Sequence, residues 1–195
     1  TKAAALKFLA EGCPKPDFTE NFIGNVNMGE AEVTIAPCIK SDTLMGALRN
    51  LFASIKPGDY FALDAFLPFD GEGRREALEV IRHGVADKLG VVSCLEIGPR
   101  YLHSTGQLQK GGTNNGVFLM VSADELKDIP LRHVEPESLG MLARTQAAAD
   151  LSILIERGRR CMHLHLPDNS GVTIRALGDA VMKVLDEIER ERAAE

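Results

Sequence analysis

The residues best suited to chemistry lie in one stretch, Gly98-Pro99-Arg100-Tyr101-Leu102-His103-Ser104-Thr105-Gly106-Gln107-Leu108-Gln109-Lys110-Gly111-Gly112-Thr113-Asn114-Asn115-Gly116. Glycines let backbone amides approach a ligand, hydroxyls and amides bind sugar oxygens, and an imidazole gives or takes a proton near neutral pH. These are the tools for a polyhydroxylated, anionic small molecule, with His103 as the candidate acid–base group. Ser104, Thr105 and Gln107 are candidate ligands for its oxygens, and Gly111 and Gly112 are candidate points of close backbone approach or positive φ. Arg100 and Lys110 read either as phosphate ligands or as solvated charges. The blander alternative for the whole stretch is a solvated loop whose glycines make turns and whose histidine bonds a backbone carbonyl. Neither G-x-G-x-x-G nor G-x-x-x-x-G-K-[ST] occurs in it, which disfavours a nucleotide-dependent oxidoreductase.

Other reactive residue types point elsewhere. His163 and His165 alternate on an expected strand and share a face, but no nearby carboxylate or third histidine has ligand spacing, so both read as structural and no metal is expected. Glu96 ends an apolar run, where a carboxylate is costly unless paired, and is a secondary candidate for orienting His103 or Arg100. Cys13, Cys38, Cys94 and Cys161 lack the short spacing of a zinc or redox pair and read as reduced, structural thiols. His83 and His133 read as surface residues, and the run Arg157-Gly158-Arg159-Arg160 as cations serving a helix C-terminus.

The elements that must position these groups follow from periodicity. A short helix is expected over residues 1–11, stopped by Pro14 and Pro16, then extended chain over 21–36 with Met28-Gly29 as a turn. Ser41 and Asp42 offer caps to a helix with Leu44, Leu48, Leu51, Phe52 and Ile55 on one face, which Pro57-Gly58 ends. Residues 60–67 form an apolar run broken only by Asp64, as in a strand covered on both faces. A helix over 74–88, strands at 91–97 and 117–121, a helix over 136–157, a strand over 161–166 and a last helix from about Val172 complete the chain. Leu139, Leu142, Gln146, Ala149 and Ile153 form the expected inner stripe of the penultimate helix.

Alternating strands and helices favour an α/β fold with a mainly parallel sheet flanked by helices. Residues 1–39 read as an N-terminal appendage to an α/β domain over 40–195. Ligands gather at the carboxyl ends of such strands, and the 98–116 stretch leaves a strand there. The 195 residues are 45% hydrophobic and 26% charged, enough for a core without staples, and a net charge of -6 with no basic block argues against nucleic acid. No run is apolar and long enough for a membrane span and no signal peptide is evident, so a cytoplasmic location is expected. Thr1 in place of Met points to an end piece of a longer polypeptide.

Gly58-Asp59-Tyr60, the G-P-R-Y-L-H-S-T-G-Q-L run from Gly98, Lys110-Gly111-Gly112 and Gly116-Val117-Phe118-Leu119 resemble the C-terminal phosphoglucose isomerase part of transaldolase/phosphoglucose isomerase fusion proteins. Residues 154–160 and His163-Leu164-His165-Leu166 resemble that family's closing helix and strand, so the similarity covers most of residues 40–185. It implies a sugar-isomerase-like three-layer sandwich and the interconversion of glucose 6-phosphate and fructose 6-phosphate without metal or organic cofactor. It also implies that His103 matches the ring-opening histidine. The proton-transfer glutamate, phosphate-binding hydroxyls and catalytic lysine of the family lie in preceding sugar isomerase domains, which would be this chain's partners. This sequence carries Gln109 where the family often has His, and Ala143 where it often has Lys. The alternative expectation is a non-catalytic phosphosugar-binding or structural module of such a fusion.

Overall fold

The computed structural model describes residues 20–25, 30–68, 71–130 and 138–194. Its centre is a six-stranded sheet. The strands are β1 (Glu20–Asn25), β2 (Glu30–Ile35), β3 (Tyr60–Phe66), β4 (Val92–Ile97), β5 (Gly116–Ala123) and β6 (Arg160–Leu166), in the order β1-β2-β6-β5-β3-β4. The pairs β6–β5, β5–β3 and β3–β4 are parallel, and β1–β2 and β2–β6 are antiparallel. β1 and β2, from the first 39 residues, thus extend the sheet beyond β6. The expected helix over 1–11, the Met28-Gly29 turn, Cys13 and His133 lie outside the described residues.

Helices cover both faces and make a three-layer α/β fold. One layer holds α1 (Leu44–Ala53), α2 (Arg74–Leu89) and, later in the chain, the 22-residue Gly171–Arg192 helix. The other holds a 3₁₀ turn (Arg100–His103), α3 (Thr105–Gly111) and α4 (Leu139–Glu156), so the Gly171–Arg192 helix is α5. Against the first layer the sheet presents Phe61, Leu63, Val117, Leu119, Met162 and Leu164, in one large apolar core. Ile174, Leu177, Val181, Val184, Leu185 and Ile188 of α5 are all buried there, the stripe that helical spacing predicts. Among the described residues no helix is long and apolar enough to cross a membrane.

Local chemistry explains the boundaries. Thr43, rather than Ser41 or Asp42, caps α1: its hydroxyl accepts from the Gly46 amide at 3.2 Å, while Ser41 supports the Thr43 backbone. Gly90, at φ +67, ends α2 in the left-handed conformation that glycine adopts without a Cβ penalty. α4 is turned from its expected orientation. Leu139 is exposed, and the buried positions are Gly140, Thr145, Ala147, Ala149, Asp150, Leu151 and Leu154. The reason lies in Asp150, whose carboxylate has its partners on the inside.

The opposite sheet face is less apolar. Register aligns Asp64 with Met120 and His163 in one row, and Phe66 with Ser122 and His165 in the next. β3 leaves toward α2 on one side and β5 toward α4 on the other, so their carboxyl ends form the topological switch point of the sheet.

Candidate functional site

The stretch after β4 is folded, not a loop. A cis peptide joins Gly98 to Pro99, the 3₁₀ turn follows, and Ser104 joins it to α3. An isolated helix of this length is unstable in water, so α3 must be held by its contacts. Tyr101 and Leu102 are buried; the Tyr101 ring packs edge-on to Phe66 with centroids 5.9 Å apart. The Tyr101 hydroxyl donates to Asp150 Oδ2 at 3.0 Å, and Lys110 Nζ donates to Asp150 Oδ1. Gln109 Nε2 donates to Asp64 Oδ1 at 3.0 Å. Arg159 closes the far end, donating to the carbonyls of Lys110 at 3.0 Å and Gly112 at 2.7 Å.

These contacts sort the sequence-derived candidates. Arg100, His103, Ser104, Thr105 and Gln107 are exposed, with Gln107 Nε2 bonded to the Leu102 carbonyl at 2.9 Å and Ser104 Oγ to that of Tyr101 at 3.2 Å. His103 has no side-chain hydrogen-bond partner among the described residues and is open to a ligand from outside. Lys110 points inward, 8% exposed, with its ammonium on Asp150. Neither Gly111 nor Gly112 has a positive φ; Gly112 sits at φ -78 as the C-cap of α3. What keeps residue 112 small is the helix itself, since a Cβ there would lie 2.6 Å from the Leu108 carbonyl oxygen. Glu96 is partly exposed on the edge strand, in register with Asp64.

The arginine run also differs from expectation. The chain reverses at Gly158, and Arg159 serves the C-terminus of α3 rather than that of α4. Arg160 binds Asp59 Oδ2 at 2.8 Å, and its guanidinium holds the Asp59 carboxyl below the usual range.

A crevice of about 300 Å3 that the sequence does not announce lies at the switch point, lined among others by Phe66, Gly98, Glu125, Lys127, Asp128 and Ala143. The available signal was the charged run from Asp124 to Asp128 directly after buried β5. Gly98 is the residue this crevice shares with the His103 stretch. Asp128 Oδ1 accepts from the amides of Ile129 at 2.7 Å and Gly140 at 2.8 Å. With Ser138, these amides hold the Asp128 carboxyl below its ordinary value.

His163 and His165 form a separate cluster. Ser122 Oγ lies 2.7 Å from His163 Nε2 and 2.9 Å from His165 Nδ1, and His165 Nε2 lies 3.2 Å from Asp124 Oδ1. A carboxylate only accepts, so His165 carries its proton on Nε2 and takes the Ser122 proton on Nδ1. Ser122, having donated its one proton, accepts from His163 Nε2. Burial, His165 and Arg144 push His163 down to about 3, which keeps it neutral in this chain of bonds. Among the described residues no group of three or more His, Cys, Asp or Glu could hold a metal.

No family model matches the chain, and neither does any curated protein. A solved structure, a hypothetical protein from Thermus thermophilus, is similar, with a TM-score of 0.62 and 18% identity over 73% of this chain and 38% of that one. At that identity the likeness shows the fold alone, the three-layer α/β sandwich. The chain spans well under half the length of that neighbour.

Proposed function

We propose that this chain is the C-terminal part of a phosphoglucose isomerase and presents His103 to a sugar phosphate held by residues outside the chain. The observation that carries the reading is His103 itself: an exposed imidazole without a partner among the described residues, on a short unit fastened to the core by Tyr101, Gln109 and Lys110. Such a group can exchange a proton with a ligand without giving up an internal bond. Ring opening of a hexose phosphate needs one proton taken from the anomeric hydroxyl and one delivered to the ring oxygen, and one imidazole can do both. The step between C1 and C2 needs a second base, which the upstream sugar isomerase domains of the same polypeptide would supply.

A second reading, a non-catalytic phosphosugar-binding or structural module, draws support from Lys110, whose burial on Asp150 removes one of two candidate phosphate ligands. His103→Asn in the complete polypeptide separates the two. Turnover of cyclic glucose 6-phosphate, followed by a coupled assay for fructose 6-phosphate, is expected to fall by roughly 10² to 10⁴ with little change in melting temperature. The isolated chain is expected to show background only, because its catalytic partners are missing. Undiminished turnover in the variant would leave the module reading.

A further inference from the structure

We propose that Asp64 is held as a neutral carboxylic acid which, paired with Gln109, locks α3 in place, so that opening the His103 stretch releases a proton. The role of His103 rests on the reading above; the lock does not.

Asp64 is 0% exposed, at the middle of interior strand β3 and under α3. One oxygen accepts from Gln109 Nε2 at 3.0 Å. The other, Oδ2, is buried without a partner, and so is Gln109 Oε1. The two orphans belong to the same two side chains. With Asp64 ionised both are acceptors and neither can serve the other. One proton on Oδ2 turns it into a donor, and Gln109 Oε1 is the acceptor that would complete an acid–amide pair beside the Nε2–Oδ1 bond. Leaving both unsatisfied in a dry interior costs far more than keeping one proton.

Charge around the site agrees. Asp150 from α4 and Glu96 from β4 are both acidic, and the ammonium of Lys110 from α3 is already bonded to Asp150. Tyr60, Cys94, Tyr101 and Cys161 also sense Asp64, none of them a cation. The buried Arg159 guanidinium, which Tyr60 senses as it does Asp64, is bonded to the Lys110 and Gly112 carbonyls, and His163, in the same sheet row as Asp64, is kept neutral on Ser122. An ionised Asp64 would therefore have no counter-charge of its own. Burial, then the repulsion of Asp150 and Glu96, pushes its acid well above the ordinary carboxylate range, with the Gln109 bond and Lys110 only partly offsetting them.

The folded protein then binds one more proton than the unfolded chain at pH values between the ordinary carboxylate range and the raised folded value. Stability contributed by Asp64 is full below that window and is lost as pH rises through it, at up to about tenfold in the opening constant per pH unit. Asp64→Asn is the decisive variant, since its amide offers an N–H where the neutral acid has its O–H and removes the titration. Hydrogen exchange of residues 100–112 in the full chain, corrected for intrinsic rate, is measured from pH 5 to 8 in both proteins. The ratio of opening constants, wild type over D64N, is expected to climb with pH, by up to about tenfold per unit. Infrared spectra at neutral pH are expected to show the carbonyl band of a protonated carboxylic acid, shifted by isotope-labelled aspartate and absent from the variant. A flat ratio, no such band in the wild type, or a variant that fails to fold because the charge was needed would each overturn the proposal. None of these readouts uses isomerase activity, so a failure of the functional reading leaves them standing.

Discussion

Breaking the Lys110–Asp150 pair is the sharpest test of what holds the His103 stretch in place. Asp150 is 0% exposed and Lys110 8% exposed, so removing either charge leaves the other in a dry interior. Asp150→Asn keeps an amide oxygen for the Tyr101 hydroxyl and removes only the charge; Lys110→Met keeps the apolar stem. Stranding one buried ion costs about 3–5 kcal/mol, a large part of the roughly 5–15 kcal/mol that stabilises an ordinary domain. Replacing both partners removes both stranded charges, so the double variant is expected to be more stable than the sum of the singles implies by roughly 2–3 kcal/mol. Urea denaturation followed by circular dichroism gives all four free energies. Additivity to within about 0.5 kcal/mol would mean that water reaches the pair, and that α3 is held by something else.

The cluster around Ser122 gives an acid-side prediction. His163 sits near 3 against an ordinary 6.5, so between those values the unfolded chain binds more protons than the folded protein. Stability from this group is intact above that window and lost as pH falls through it, by up to about 1.4 kcal/mol per unit; denaturation midpoints of His163→Asn should fall less on acidification than those of the wild type. The two neighbouring glycines should behave oppositely. Gly112→Val drives a Cβ to 2.6 Å from the Leu108 carbonyl oxygen and should destabilise by roughly 1–3 kcal/mol. Gly111→Ala meets nothing within 4 Å and should raise the melting temperature slightly, by about 0.4–1 kcal/mol in stability; equal effects in thermal melts would contradict the placement of this turn.

Much of the scaffold was legible because burial imposes a period on sequence. The α5 stripe, the alternation from Ala31 to Ile35 and the apolar runs of β3, β5 and β6 all appear where spacing puts them. α4 was misoriented because its inner face carries Asp150 and small residues, which no apolar stripe announces. α3 was missed as a helix because Thr105-Gly106-Gln107-Leu108-Gln109-Lys110-Gly111 has two glycines and no apolar face, so its local preference is weak. Lys110 illustrates the limit best, since the same residue beside His103 in sequence would face a ligand on a loop and faces Asp150 on a helix.

By itself the sequence determined the order and type of most elements, the α/β class and the stretch in which an imidazole stands among hydroxyls, amides and glycines. These depend on properties each residue carries with it: volume, branching, hydrogen-bonding groups and backbone freedom. The tertiary structure alone decided that His103 stays outside while Lys110 and Gln109 turn in, that Asp64 and Gln109 share two orphaned atoms, and that Arg159 ends a helix distant in the chain. Partners such as Asp64 and Gln109, or Lys110 and Asp150, are 45 and 40 residues apart. Their pairing is set by strand order and helix rotation, and the free energy of burying a charge depends on what the fold brings beside it.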